Sequence, residues 1–279
     1  MITVIGFFAG IVPVAIGMLW FPFIKSLQNR WVHAMLALSA GVLAFVAIEM
    51  IDEIAAYSRA VTISDGTLGS TSDGGAIAGL LSFLGMSAGT FLAVVLAIVA
   101  GVLTAGAMKW VGDWRREQLY GGGGEGLRVA YLIAIGLGFH SIGEGLAIGA
   151  SFRTGAYSLL TLLVVGFVLH NVTEGLTVVA AFARDESRPS LWHFAAVGVI
   201  AGGPLILGGW IGILAYVPIL AVIFLAIGVG AITEVIWEVA ELVRMDAEKL
   251  LTLPNGASFA LGLGSMFLLE DVIVEGFLL

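Results

Sequence analysis

There is no cysteine among the 279 residues of the chain. Its absence excludes disulfide staples, thiolate metal sites and cysteine nucleophiles together. Charge is also scarce: Asp, Glu, Lys and Arg make up 11% of the sequence, against 59% hydrophobic residues and a mean hydropathy of +1.07. No ordinary soluble domain approaches that balance. The chain therefore reads as an all-α integral membrane protein forming a single transmembrane domain. Histidine is confined to four positions. With no thiol available, any metal must be held by those imidazoles, by carboxylates, by Met, or by hydroxyl and carbonyl oxygens. The net charge is -8, yet many of the acids fall inside apolar segments and not in a soluble tail. That placement points to cations within the membrane and away from nucleic acid as a partner.

At about 20 apolar residues per crossing, the sequence divides into eight expected spans, at roughly 2–24, 33–56, 86–110, 128–152, 157–183, 191–214, 217–243 and 257–279. The first has no basic residue before it and Lys25 and Arg30 after it, the wrong order for a cleaved signal. Lys25, Arg30, Lys109, Arg115, Arg116, Arg128, Arg184, Arg188, Arg244 and Lys249 then share one side, leaving Arg59 and Arg153 on the other. Basic residues favour the cytoplasmic side, so both termini are expected outside. The longest connections are 57–85 and 111–127, the second holding the run Gly121 to Gly124. No Lys-Ser/Thr follows that run and no strand precedes it, so it reads as a linker and not a phosphate loop.

Within the fourth and fifth spans one pattern occurs twice. His140 to Phe152 reads HSIGEGLAIGASF and His170 to Phe182 reads HNVTEGLTVVAAF. A His and a Glu four apart share a helix face, about one turn from each other. Glu is about one residue in twenty of this chain, so two such couples by accident are improbable, and ionisable groups in hydrocarbon demand a reason. Each His lies 12 to 13 residues from the start of its span, about 18–20 Å deep at ~1.5 Å per residue, near the middle of a ~30 Å core. The two spans run antiparallel, so the couples meet at one level. His140, Glu144, His170 and Glu174 offer two nitrogens and two carboxylates, suited to zinc and tolerable to Fe(II), Mn(II), Co(II) or Cd(II). Structural hydrogen bonding between helices is the competing reading.

More acids lie at helical spacing inside apolar stretches: Glu49, Asp52 and Glu53 on the second span, Glu234, Glu238 and Glu241 on the seventh, and Glu270, Asp271 and Glu275 on the eighth. Glu49, Glu53 and Glu275 fall in the outer half and Glu238 and Glu241 in the inner half. A line of carboxylates on both sides of a midplane site lowers the cost of desolvating a cation along its route. Glu49, Glu53, Glu234, Glu238 and Glu270 are the expected pathway residues. Acids near the span ends read equally well as reaching water. His33 and His193 stand beside Trp31 and Trp192 at span entrances and read as an interfacial belt. The methionines read as packing.

These motifs resemble those of the ZIP (Zrt- and Irt-like) divalent metal transporters, whose fourth span carries a His-Asn-x-Pro-Glu-Gly type sequence and whose fifth carries a related His-x-x-x-Glu. The near-duplicate couples are similar to the GufA-type branch, and LSAGVLAF at 38–45 is similar to a small-residue stretch of the family's second span. The resemblance implies eight spans with external termini and transport of Zn2+, Fe2+, Mn2+ or related ions into the cytoplasm. It also implies metal held between the fourth and fifth spans and one helix group moving against another. His140, Glu144, His170 and Glu174 match the family's primary ligands, Asn171 matches a second-site position, and Ser141 stands where an Asn is usual. Gly143 and Thr173 replace prolines, Gly203 replaces a common ligand Glu, and residues 111–127 contain no His.

The expected function is transport of divalent transition-metal cations, zinc foremost and also iron, manganese and cadmium, toward the cytoplasm by alternating access through the His/Glu site. The alternative is an intramembrane metalloenzyme using the same metal to activate water. A haem held by His140 and His170 leaves both Glu residues unexplained. The expected partners are the cations and the bilayer of a prokaryotic inner membrane, with no cofactor, no enzymatic role, and a homodimer left open.

Overall fold

The computed structural model describes residues 1–61, 85–118, 124–185, 188–215, 217–246, 250 and 252–268. Every element among them is helical. Seven are long and apolar enough to cross a membrane, so the protein is an all-α, multi-pass membrane protein. We label the helices α1 (Ile2–Lys25), α2 (Asn29–Arg59), α3 (Ala88–Gln118), α4 (Glu125–Thr154), α5 (Tyr157–Arg184), α6 (Leu191–Leu214), α7 (Pro218–Asp246) and α8 (Leu253–Phe267), of which the first seven contain the apolar crossings. At ~1.5 Å per residue the 31 residues of α2 reach about 46 Å, beyond the ~30 Å hydrocarbon core. The eighth expected span is described as far as Leu268, and Glu270 lies outside the described residues.

Helix ends follow local chemistry. α4 stops at Gly155, which takes a left-handed φ of 72°, a conformation that costs glycine nothing and most residues a clash. α8 starts where the Thr252 side chain accepts the Asn255 N–H, with Pro254 in the first turn. Two spans are not uniform. α1 winds one π turn at Phe7–Ile11, and α6 breaks at Gly203 before Pro204, whose missing N–H cannot continue the helix.

Glycine sorts the bundle into one close-packed set and two pairs. A Cβ at Gly17 would collide with the Val172 carbonyl, one at Gly145 with the Leu205 carbonyl, and one at Gly10 with the Gly202 carbonyl, so α1, α4, α5 and α6 touch backbone to backbone. Outside that set the same collision would occur within two pairs, between Gly41 of α2 and Phe259 of α8, and between Gly230 of α7 and Gly101 of α3. Close approach through small residues is how membrane helices gain packing without a hydrophobic drive between them. Where α4 of the set faces α7, the nearest atoms to Gly136 and Gly143 are instead side-chain carbons of Val235, at 3.5 Å, and of Leu225. α4 and α7 run antiparallel: His140 is level with Gly228, Gly136 with Ala231, and Arg128 with Glu238.

Candidate metal centre

The two His-x-x-x-Glu couples come together between α4 and α5. The imidazoles of His140 and His170 stack with centroids 5.3 Å apart and planes 26° from parallel. His170 Nε2 lies 3.4 Å from Glu174 Oε1, and His140 Nε2 lies 3.6 Å from Glu144 Oε1. Burial is nearly complete: Glu174 is fully buried, and His170, Glu144 and His140 are 1%, 4% and 5% exposed. Both ring nitrogens of His140, Oε1 of Glu144 and both carboxylate oxygens of Glu174 have no hydrogen-bond partner among the described residues. Buried polar atoms are normally paired, because an unpaired one costs about 1–3 kcal/mol. A concentration of them in one place marks the cluster as a candidate ligand site.

Donor atoms of His140, His170 and Glu174 all lie within 4.8 Å of one another. Donors around one tetrahedral zinc at ~2.0–2.2 Å stand about 3.3–3.6 Å apart, so these three would close on an ion by drawing together by up to about 1.5 Å. Two imidazoles and a carboxylate form an N2O set of the kind zinc accepts. Glu144 stands at the edge of this trio and not within it. Its other oxygen lies 3.5 Å from Nδ2 of Asn171, which donates at 2.8 Å to the Ala9 carbonyl on the π turn of α1.

A cavity of about 20 Å³ adjoins the cluster, lined by Glu49, Met50, Glu53, His140, Glu144, Phe167 and His170. That is room for about one water-sized guest. Three of its walls are carboxylates and none is Lys or Arg, a charge balance that favours a cation. Compared with models of known protein families and with curated protein sequences, the chain matches none. The centre is therefore read from its own chemistry.

The expected site residues separate on inspection. Glu49 and Glu53 reach the cavity from α2. Ser141 does not face the cluster: its hydroxyl donates at 2.9 Å to the Ala201 carbonyl, just before the Pro204 break in α6. One step along a helix turns the side chain by about 100°, which takes Ser141 off the face that His140 occupies. Glu238 is held by Arg128, Nη1 to Oε1 at 3.2 Å and Nη2 to Oε2 at 2.6 Å. A fixed cation thus neutralises this expected pathway carboxylate. Glu234 is buried one turn closer to the cluster on the same face of α7. Met50 and Phe167 line the cavity but were not expected; Met50 shares the helix face of Glu53 three positions on, a spacing visible in the sequence.

Proposed function

We propose that this protein carries divalent transition-metal cations, zinc foremost, across the membrane toward the cytoplasm, as its motif resemblance to the ZIP transporters implies. What supports the reading most is a buried cluster of unpartnered donors from His140, Glu144 and Glu174, within reach of His170, opening on a cavity walled by acids. A dehydrated cation loses its water ligands on entering. The imidazoles and carboxylates replace them, and Glu49 and Glu53 lower the cost of the approach. Glu144, which lines the cavity together with His140 and His170, would hand the ion on to the trio. The glycine-packed set of α1, α4, α5 and α6 is a body that could move against the other helices around the site, which alternating access requires.

The test is cation uptake by proteoliposomes, with a panel of Zn2+, Fe2+, Mn2+, Cd2+ and Mg2+, comparing parent with His140→Ala and Glu174→Ala. Zinc uptake by the parent with a loss of about 100-fold in each variant, or ~2.7 kcal/mol of binding, is the expected result. Uptake at the parental rate in Glu174→Ala rejects the site. Metal binding needs neutral imidazole, so uptake is expected to fall as the pH is lowered from 7 to 5 with metal speciation controlled.

A further inference from the structure

The cavity and the Arg128–Glu238 pair lie on opposite sides of the metal cluster. Arg128 is twelve residues before His140 on α4, about 18 Å along the helix axis. The cavity residues lie the other way. Glu144 follows His140 on α4, and Phe167 precedes His170 on the antiparallel α5. Glu53 follows Met50 on α2, which runs parallel to α4: α1 lies along α5, with Gly17 at Gly175 and Phe21 at Phe182, and the short turn after Lys25 reverses α2. Toward Arg128 the face of α7 carries Ala231, Glu234 and Glu238 in succession, all buried.

The pair also crosses from the glycine-packed group to the group that holds α7. Neighbouring contacts at the same end stay inside one group: Asp185 of α5 accepts the Gly126 and Leu127 N–H groups of α4 at 2.9 and 2.8 Å, and Lys25 of α1 donates to the Ala183 and Asp185 carbonyls. Those contacts survive if the groups slide past each other. Arg128 and Glu238, whose side chains are 9% and 3% exposed, do not. A bidentate guanidinium–carboxylate fork has a defined geometry, so relative motion of α4 and α7 must break it.

We infer that the Arg128–Glu238 pair is the closed gate of the pathway at this end, with a tethered guanidinium occupying the carboxylate that a passing divalent cation would meet after Glu234. The inference rests on the transport reading, and it adds a residue with a dual task. While paired, Arg128 neutralises Glu238 and repels a cation coming from the cluster. When the groups separate, Glu238 is released as a ligand for the departing ion.

Because the chain contains no cysteine, one introduced thiol reports access without background. Ala231→Cys places it between cluster and pair, and the probe is a positively charged, membrane-impermeant methanethiosulfonate in nanodiscs exposing both faces. With the pair intact, labelling is expected to be slow. Adding Arg128→Gln should speed it by about tenfold or more, and the reciprocal exchange Arg128→Glu with Glu238→Arg should return it to within about twofold, since opposite charges again meet. Labelling unchanged by Arg128→Gln overturns the gate, as does an exchange variant that labels like the single one.

Should Arg128→Gln fail to fold, the double variant Arg128→Cys with Glu238→Cys carries the test. Bridging its thiols with a short, reducible bifunctional reagent should cut zinc uptake by about tenfold or more, with recovery on reduction. Undiminished uptake after complete bridging overturns the gate. The labelling experiment involves no metal, so a gate that answers to Arg128 in a protein that takes up no zinc would retire the transport reading alone.

Discussion

Two polar regions share the interior of this bundle and are built oppositely. Around His140, Glu144 and Glu174, buried ring nitrogens and carboxylate oxygens lack hydrogen-bond partners among the described residues; at the end where α4 begins, Arg128 meets Glu238 in a bidentate fork and Asp185 accepts two backbone N–H groups. The first leaves coordinating capacity unused, whereas the second completes itself. Stability and function should therefore respond in opposite senses to mutation in the two places.

The largest effect on stability is expected at the self-sufficient end. Arg128→Gln leaves Glu238 buried without its cation and should destabilise the metal-free protein by about 3–5 kcal/mol, measured by thermal unfolding in detergent, while zinc affinity at the distant cluster changes by less than about threefold. Equal losses in both would erase the distinction between the regions. At the cluster the pattern should invert. Glu174→Gln removes a fully buried carboxylate whose oxygens have no hydrogen-bond partner among the described residues and should raise metal-free stability by about 1–2 kcal/mol, yet abolish the zinc-dependent rise in melting temperature. That rise corresponds in the parent to about 2.7 kcal/mol at a hundredfold excess over Kd. A Glu174→Gln protein that is both less stable and still stabilised by zinc would make the cluster structural.

Smaller effects refine the boundary. Asp185→Asn weakens the charged cap on α4 by about 1 kcal/mol, visible as a lower melting temperature with uptake retained. Ser141→Ala removes one hydrogen bond to α6 for about 0.5–1.5 kcal/mol and should leave zinc uptake within about twofold of the parent. A larger uptake loss in Ser141→Ala would return that hydroxyl to the metal site.

Much of this contrast was legible in the sequence, but unevenly. Apolar length reveals the spans, and the i, i+4 spacing puts each His beside its Glu, because both depend on residues near one another in the chain. Antiparallel neighbours at matching depth also bring His140 to His170. The role of Arg128 was not legible. As a sequence feature it is one more basic residue at a span end, and its pairing depends on the register of α4 against α7, set by contacts such as Gly228 with His140. The same applies to Asp185, which caps a helix some 60 residues away in sequence. Ser141 was misplaced because adjacency in sequence to His140 means a different face on a helix. The break in α6 is announced by Pro204, whereas the π turn of α1 has no comparable signature.

That π turn has an evolutionary consequence. A wide turn holds one residue more than its surroundings, as if an insertion had been absorbed in place. Deleting a single residue within Phe7–Ile11 would restore regular winding, rotate everything upstream by about 100°, and withdraw the Ala9 oxygen on which Asn171 rests. The first helix is thus spliced to the fifth by one surplus amino acid, and a lineage that lost it would have to rebuild the wall behind Glu144.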